Sequence, residues 1–303
     1  MTEPQRPMSI LVDSNTRVIC QGLTGTQATF HAQIALAKGT QLVGGVTPGK
    51  GGSEHLGLPV FNTVAEAVSA TGANASTVFV PPAFAGVAMT EAIEADLDTV
   101  VCVTERVPIL DMVRVKATLN DHPTRLIGPN CVGIITPTEC QMGVMPSEVF
   151  VPGRVGIISR ASTMLYEVAQ QLTDAGLGQS SAVGIGGDPI HGFSFTDALQ
   201  CFADDDATDA VVMVGEIGGE AEIAAADFIN SSAVLGSKKP VVAWIGGQSA
   251  PEGRRMGHAG AIQRRGSASV DDKKKALQSS GAVICESPMR IGHIVATALE
   301  EKV

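Results

Sequence analysis

Short runs of apolar residues alternate with segments of helical periodicity along almost the whole chain. In the first half, the runs typical of buried parallel strands are residues 17–20, 42–46, 76–80, 99–103 and 125–127. The segments with helical periodicity between them are residues 63–71, 89–95 and 111–119, and Gly72 is placed to end the first. This alternation predicts a doubly wound α/β sheet.

The pattern is interrupted between residues 146 and 153, where two prolines occur without helical periodicity. Beyond this break, strands are predicted at residues 155–159, 180–185, 210–214, 240–245 and 282–285. Helices are predicted to begin at Ser162, Ser194 and Gly219, and a last helix to cover residues 291–299. We therefore expect a disordered extension at residues 1–7 and two doubly wound domains, residues 8–150 and 151–303.

The composition restricts the possible functions. The chain has 303 residues, of which 44% are hydrophobic and 17% charged, so it can bury sizeable cores. A net charge of −10 disfavours nucleic acid and anionic membrane surfaces as partners. The first seven residues, MTEPQRP, resemble neither a secretory signal nor a basic transit peptide. The six cysteines form no CxxC pair, which predicts reduced thiols and a cytoplasmic location.

A glycine-rich turn, GLTGTQ, follows the first predicted strand at residues 22–27. Such a turn, followed by a helix, places backbone N–H groups where they can bind a phosphate or pyrophosphate, although an unliganded turn is the alternative. A dinucleotide dehydrogenase would have a carboxylate about 20 residues further on, at the end of the second strand. Here the first carboxylate after that strand is Glu54. The sequence therefore disfavours NAD and leaves another adenosine pyrophosphate, such as coenzyme A, as a ligand.

Residues 44–50, GGVTPGK, approach the P-loop pattern of nucleotide-binding proteins. Gly51 stands where Ser or Thr would bind Mg²⁺, and Pro48 lacks the N–H that a phosphate cradle needs. We therefore reject a nucleotide site and expect a mobile glycine loop that carries Lys50 toward the ligand of the first turn. A solvated surface lysine is the alternative.

His258 is flanked by Gly257 and Ala259, so its imidazole is sterically open. A neutral imidazole nitrogen is a competent nucleophile near pH 7. For a single histidine, a structural role is the alternative.

Eight ordered blocks resemble the α subunit of succinyl-CoA synthetases and related ligases, including malate–CoA ligases. The blocks are QGLTGTQATFH, VGGVTPGKGG, LGLPVFNTVAEAV, GPNCVGIITP, PGRVGIISR, VGIGGDPI, VMVGEIGG and RRMGHAGAI. The resemblance implies a Rossmann-like CoA-binding domain followed by a flavodoxin-like domain. It implies an acid–thiol ligase that forms ADP or GDP and works with a β subunit as a heterodimer or heterotetramer. That subunit would carry an ATP-grasp domain with bound ATP or GTP and Mg²⁺.

The resemblance also assigns roles to residues of this chain. It implies that His258 is the phosphorylated residue and that Glu216 orients it, although a carboxylate that merely opens a helix is the alternative for Glu216. The residues implied to bind CoA are Thr24, Gly25, Thr26, Gln27, Lys50, Val103, Thr104 and Glu105. Those implied to bind the acid or phosphate are Tyr166, Ser162, Thr163, Asn130 and Cys131. No metal is expected on this chain.

The chain departs from the family pattern at three positions. Ala161 and Ser162 replace the serine and glycine of SRSGT, and Val132 replaces the second proline of GPNCPG. We expect these changes to tune the acid pocket, with succinate as the favoured substrate. Malate or another dicarboxylate is the first alternative, and a non-catalytic CoA-binding protein of the same fold is the second.

Overall fold

The computed structural model describes residues 9–264 and 266–301, so the expected extension at residues 1–7 lies outside the described part. Within that part, the strands form two sheets of seven. The first sheet contains β1 (Arg17–Gln21), β2 (Gln41–Val46), β3 (Glu54–His55), β4 (Leu58–Phe61), β5 (Ala75–Val78), β6 (Thr99–Cys102) and β7 (Arg125–Ile127). The helices associated with it are α1 (Thr26–Ala37), α2 (Val64–Thr71), α3 (Pro82–Glu94) and α4 (Ile109–Leu119).

The strand order of the first sheet is β3-β4-β2-β1-β5-β6-β7. All neighbours are parallel except the two-residue strand β3, which pairs antiparallel with β4. Without β3, this is the order of a Rossmann sheet, in which the chain changes direction between β1 and β5. The predicted Rossmann-like domain is therefore confirmed.

The second sheet contains β8 (Gly133–Thr136), β9 (Cys140–Gly143), β10 (Pro152–Ser159), β11 (Gln179–Gly184), β12 (Ala210–Glu216), β13 (Val241–Gly246) and β14 (Val283–Ile284). Its helices are α5 (Ser162–Asp174), α6 (Phe195–Asp204), α7 (Ala221–Ser231), α8 (Val270–Ser279) and α9 (Ile291–Glu300). The order β14-β13-β12-β10-β11 is that of a flavodoxin-like sheet, and these strands are parallel. The change of direction lies between β10 and β12.

The antiparallel hairpin of β8 and β9 completes the second sheet by pairing with β11. This hairpin precedes residue 150, where the sequence predicts the domain boundary. A strand joins the sheet that satisfies its backbone hydrogen bonds, and these partners lie far along the chain. The hairpin therefore belongs to the second sheet although it precedes the predicted boundary.

Local sequence signals explain several helix ends. The hydroxyl of Thr63 accepts a hydrogen bond from the Glu66 N–H at the start of α2, and Gly72 ends this helix with a φ of 66°, as predicted. Helix α3 begins at Pro82 rather than at residue 89, because proline suits the first turn of a helix. Helix α8 was not predicted, although Ser269 and Asp272 form a capping box at its start.

One apolar core extends across both sheets. It joins Val18 and Ile127 of the first sheet to Ile158 and Val183 of the second. Residues 9–13 lie between the sheets, where the Ile10 N–H donates to the Ser181 hydroxyl at 3.2 Å. Among the described residues, none of the helices combines the length and apolarity needed to cross a membrane. The shared core holds the two sheets in a fixed relation, and the candidate site uses both.

Candidate active site

The turning point of the second sheet brings together two functional elements. Strand β10 ends at Ser159 and is followed by α5, while the neighbouring parallel strand β12 ends at Glu216. The carboxyl ends of parallel strands lie at one edge of the sheet, and ligands of doubly wound folds bind in the crevice at the turning point. The start of α5 and the Glu216 carboxylate therefore face the same crevice.

His258 enters this crevice from the loop after β13. Its Nδ1 lies 2.7 Å from Oε2 of Glu216, and the two side chains are 26% and 12% exposed. In the neutral imidazole, Nδ1 carries the proton, since a carboxylate can only accept. The contact therefore leaves the lone pair on Nε2, the nitrogen available to attack a substrate. The structure thus brings together His258 and Glu216, as the sequence predicts.

The hydrogen bond that His258 donates to Glu216 raises the pKa of His258 above its ordinary value of 6.5. Burial and the positive charge of Arg160 oppose this rise, while the charges of Glu216 and Asp188 add to it. The protonated imidazole therefore persists to a higher pH than in an ordinary histidine.

Arg160 lies beside the pair of His258 and Glu216, which is called the dyad below, although the sequence did not predict Arg160 as a site residue. Its Nε lies 3.2 Å from Oε1 of Glu216, and its side chain is only 6% exposed. Among the described residues, neither atom has a hydrogen-bond partner of acceptable geometry, so the contact is an ion pair without an aligned hydrogen bond. A buried carboxylate needs a compensating charge, and Arg160 provides one for Glu216.

The ring of His258 packs directly on the backbone of Gly187. A Cβ at Gly187 would lie 2.3 Å from both Cγ and Cδ2 of the imidazole, so no side chain fits there. The Gly187 N–H donates to the Asn130 carbonyl at 3.1 Å, and Nδ2 of Asn130 donates to Oδ1 of Asp188 at 2.9 Å. Asn130 thus fixes the loop under the imidazole.

The start of α5 is open to an anion. Ala161, at the N-cap, has no side-chain oxygen for the first N–H groups of the helix, and its own N–H donates to Ser159 Oγ at 3.0 Å. Ser162 is half-buried and Thr163 is exposed. Tyr166, one turn further along α5, is half-buried, and burial with the nearby Cys131 raises its pKa to about 12. These residues belong to the helix that follows β10, the strand next to the one that ends at Glu216.

Two residues next to Asn130 have side chains directed away from this crevice. The thiol of Cys131 is buried and donates to the carbonyl of Cys102 at 3.2 Å, and burial raises the pKa of the Cys131 thiol. Val132 is also buried and contacts Gly184, where a Cβ would lie 2.5 Å from Cγ2 of Val132. The side chains of Cys131 and Val132 therefore pack in the core, and only their backbones can face a ligand.

The predicted CoA residues lie at the turning point of the first sheet. Gly22 has a φ of 87°, and a Cβ there would lie 2.7 Å from the carbonyl oxygen of Phe79, so the turn after β1 requires glycine. Gly25 is the N-cap of α1, and Thr26 and Gln27 follow it in exposed positions. The turn therefore presents an uncapped helix N-terminus to solvent, as the sequence predicts.

Lys50 is brought to this turn by its own loop. Its Nζ donates to Oγ1 of Thr24 at 3.0 Å. Oδ1 of Asn62 accepts from the N–H groups of Gly49 and Gly51, at 2.9 and 3.0 Å. The loop expected to be mobile is thus anchored on both sides of Lys50. Asn62 was not predicted as a site residue, because its role depends on a contact across the loop.

A cleft of about 500 Å³ extends from the start of α1. Val103, Thr104 and Glu105 line it together with Gln27, as does Arg106, which adopts a φ of 62°. Its volume suits a cofactor-sized ligand. The carbonyl of Thr104 accepts the Asn130 N–H at 2.9 Å. Asn130 therefore connects the cleft to the loop beneath His258.

Comparisons with known proteins agree with this geometry. The family profile described as CoA binding domain matches residues 13–106, and that described as CoA-ligase matches residues 158–283. The succinate–CoA ligase [ADP-forming] subunit alpha of Staphylococcus aureus strain Mu50 is 51% identical over 97% of this chain and 96% of its own length. The Staphylococcus epidermidis ATCC 12228 protein of that name is 51% identical over 94% and 93%.

The chain belongs to the family of succinate–CoA ligase α subunits. As a member of this family it is an acid–thiol ligase subunit that binds coenzyme A. The name of the family, which denotes an α subunit, implies a partner β subunit.

Solved structures show the same fold at lower identity. The ATP citrate lyase of Methanothrix soehngenii, in complex with citrate and coenzyme A, has a TM-score of 0.87 at 24% identity over 98% of this chain. The dinucleotide-forming acetyl-coenzyme A synthetase 1 of Ca. Korarchaeum cryptofilum has a TM-score of 0.73 at 18% identity over 90%. This succinate–CoA ligase family member spans 51% and 59% of those two chains. At these identities the likeness concerns the fold alone.

Proposed function

We propose that this chain, together with a β subunit, catalyses the reversible conversion of succinate, CoA and ATP or GTP to succinyl-CoA, ADP or GDP and phosphate. The 2.7 Å contact between His258 Nδ1 and Glu216 carries the proposal, because it makes Nε2 a directed nucleophile. The 51% identity to proteins named succinate–CoA ligase supports the choice of acid.

In the first step, Nε2 of His258 attacks the γ-phosphorus of the nucleotide. The N–P bond forms while the P–O bond to the nucleoside diphosphate breaks. Glu216 accepts the Nδ1–H hydrogen bond and stabilises the positive charge that develops on the ring. We assign the nucleotide and its Mg²⁺ to an ATP-grasp domain of the β subunit, where Mg²⁺ would neutralise charge on the phosphates.

The phosphoryl group on His258 would then lie at the start of α5. The N–H groups of Ser162 and Thr163 belong to the first turn of α5, where no side chain caps them, and a helix N-terminus stabilises an anion. A carboxylate oxygen of succinate attacks phosphorus and the N–P bond breaks, which gives an acyl phosphate. The CoA thiolate attacks the acyl carbon, and phosphate leaves. We propose that Tyr166 and the Asn130 loop border this space.

CoA is proposed to lie in the cleft of the first domain. The uncapped N–H groups of the first turn of α1, at Thr26 and Gln27, and the charge of Lys50 would bind its phosphates, and residues 103–105 would line the pantetheine. Because Asn130 is hydrogen-bonded both to Thr104 of the cleft and to Gly187 beneath His258, we propose that the cleft leads toward His258 and Glu216. The thiol would therefore arrive beside the acyl phosphate.

The substrate assignment is tested by comparing acids. With the reconstituted αβ complex, we expect kcat/KM for succinate to exceed that for malate. The double variant Ala161→Ser with Ser162→Gly restores the family's start of α5, and we expect succinate to remain preferred in it. A higher kcat/KM for malate than for succinate in the unmodified complex would overturn the assignment. In that case the Ser162 hydroxyl could bind the hydroxyl of malate, and such a hydrogen bond discriminates strongly against an acid that lacks the hydroxyl.

The role of Lys50 is tested by the variant Lys50→Ala. It removes one charge-assisted contact, and we expect CoA affinity to fall roughly ten- to a hundred-fold. Isothermal titration of the αβ complex measures this affinity. Lys38→Ala is the matched control, because Lys38 follows the opposite end of α1 and pairs with Glu148. Equal CoA affinity in Lys50→Ala and the unmodified protein would show that Lys50 is a solvated loop charge.

We place the ligase in the cytoplasm. The six cysteines are free thiols. Burial raises the pKa values of Cys20, Cys102 and Cys140 to about 12 each, so these groups stay protonated and unreactive at neutral pH. Free thiols support a reducing compartment.

A further inference from the structure

A fully buried lysine lies directly behind the dyad. Lys273 of α8 is 0% exposed, and its Nζ donates to the carbonyl oxygens of Glu216 and Gly218, each at 2.8 Å. Its third partner is Oε2 of Glu222 at 2.5 Å. All three donors of the ammonium group are therefore directed at the turn after β12 or at the first turn of α7.

Glu222 holds the same turn from its other side. Its side chain is 0% exposed, and Oε1 accepts the N–H of Glu216 at 3.0 Å. The backbone N–H of Glu216 is thus bound by Glu222, and its carbonyl by Lys273. The two members of one ion pair fix both polar groups of the residue whose carboxylate contacts His258.

The same turn supports the histidine loop. Gly218 has a φ of 85°, and a Cβ there would lie 2.1 Å from the carbonyl oxygen of Gly260, two residues after His258. The turn and the loop are therefore in close backbone contact. A displacement of Gly218 would reach the imidazole through this contact as well as through Glu216.

Stability alone gives little reason to bury these charges. Removing two ions from water has a large desolvation cost, and well-packed apolar side chains of similar volume are often at least as stabilising. An ion pair differs from apolar packing in that it binds particular N–H and C=O groups at fixed positions. Here the bound groups are those of Glu216 and Gly218.

We propose that Lys273 and Glu222 are positioning residues of the ligase, which hold the Glu216 backbone so that its carboxylate stays aligned with Nδ1 of His258. The inference rests on the proposed phosphohistidine function of His258. Neither residue touches a substrate in this scheme, and both act through Glu216.

In the described part of the chain, three charged groups act on the imidazole of His258. Glu216 at the end of β12, Arg160 before α5, and Asp188 in the loop after β11 all act on His258. Of these, Glu216 is the one whose backbone the Lys273–Glu222 pair binds. Loss of the pair should therefore lower the pKa of His258 by weakening its contact with Glu216.

The test uses the intact αβ complex with the paired variant Lys273→Met and Glu222→Gln. This variant removes both charges together and keeps an amide oxygen for the Glu216 N–H, so no lone charge is left buried. We expect kcat to fall roughly ten- to a hundred-fold with little change in the KM for CoA. We also expect NMR of labelled histidine to show a lower pKa for His258. The acid limb of the phosphorylation rate should move to lower pH with it.

Lys274→Met is the matched control on the same helix. Lys274 bonds instead to Gln248 at 2.8 Å and to Glu286 at 2.6 Å, so its loss should leave kcat and the His258 pKa unchanged. If the paired variant fails to fold, Glu222→Asp serves instead, because it keeps the charge beside Lys273 and its shorter side chain withdraws the carboxylate from the Glu216 N–H. A folded variant of either kind with an unchanged His258 pKa and unchanged kcat would overturn the proposal.

The two proposals fail in different ways. If the unmodified complex never carries phosphate on His258, the proposed function fails, whereas the histidine pKa still reports on positioning. If phosphorylation occurs and the variants leave the His258 pKa and kcat unchanged, only the positioning role fails.

Discussion

The variant His258→Asn is expected to lose at least about 10³-fold in the rate at which this chain acquires phosphate from γ-labelled nucleotide. An asparagine amide resembles the imidazole in size and can still contact Glu216, but it has no nucleophilic nitrogen. The label on the unmodified chain should be acid-labile and base-stable, as expected of a phosphohistidine. Rapid-quench measurement on the αβ complex gives the rate.

The control is His293→Asn, because His293 is an exposed histidine on α9. It should leave the labelling rate unchanged. Uptake of the same label at an undiminished rate by His258→Asn would mean that another group carries the phosphate. The phosphohistidine mechanism would then be wrong.

The variant Glu216→Gln is expected to slow phosphorylation by about 10³-fold. The reason is the fixed charge of Arg160, which lies 3.2 Å from Oε1 of Glu216 and will attract the amide oxygen of the new glutamine. The amide NH₂ would then face Nδ1 of His258 and donate to it. The ring proton would be forced onto Nε2, and the nucleophilic lone pair would be lost from that nitrogen.

The control for this substitution is Glu220→Gln, which makes the same charge change at an exposed position of the loop after β12. It should leave the phosphorylation rate unchanged. Observation of the Nδ1–H tautomer in Glu216→Gln by NMR, with normal turnover, would contradict the role of Glu216.

The pH dependence follows from the direction of the His258 pKa. Since Glu216 raises this pKa above 6.5, phosphorylation should decline as the pH falls through the raised value. In Glu216→Gln the residual rate should decline only at lower pH. For the same reason, the contact stabilises the folded state fully below the unfolded pKa of His258, and this contribution is lost as the pH rises through the folded pKa.

The sheet architecture could be predicted from the sequence because buried parallel strands form continuous apolar runs. The hairpin of β8 and β9 was not predicted from this pattern, because its position beside β11 depends on pairing with a distant part of the chain rather than on the local sequence. Helix α8 was not predicted because its segment, VDDKKKALQS, is polar over most of its length and lacks a clear apolar periodicity. The capping residues Ser269 and Asp272 were the available signal.

The site was predictable where a residue belongs to a recognisable motif. His258, Glu216 and Lys50 lie where the motif implied, and their contacts agree with the proposed roles, which stay proposals. Arg160 and Asp188 stood inside the blocks PGRVGIISR and VGIGGDPI, which identify the family without assigning them a role. Lys273 had no signal, since a charged residue in a polar segment resembles a solvated one until the fold buries it.

The packing of the His258 ring on Gly187 determines when the imidazole loses its conformational entropy. An imidazole packed on a backbone and tied at Nδ1 has few rotamers left, and its freedom is surrendered when the chain folds. Little further ordering of the ring is then needed when a nucleotide arrives. Because residue 187 is glycine, the imidazole can pack on its backbone and become ordered when the subunit folds. Part of the entropy that phosphoryl transfer would otherwise lose on activation is thus already lost on folding.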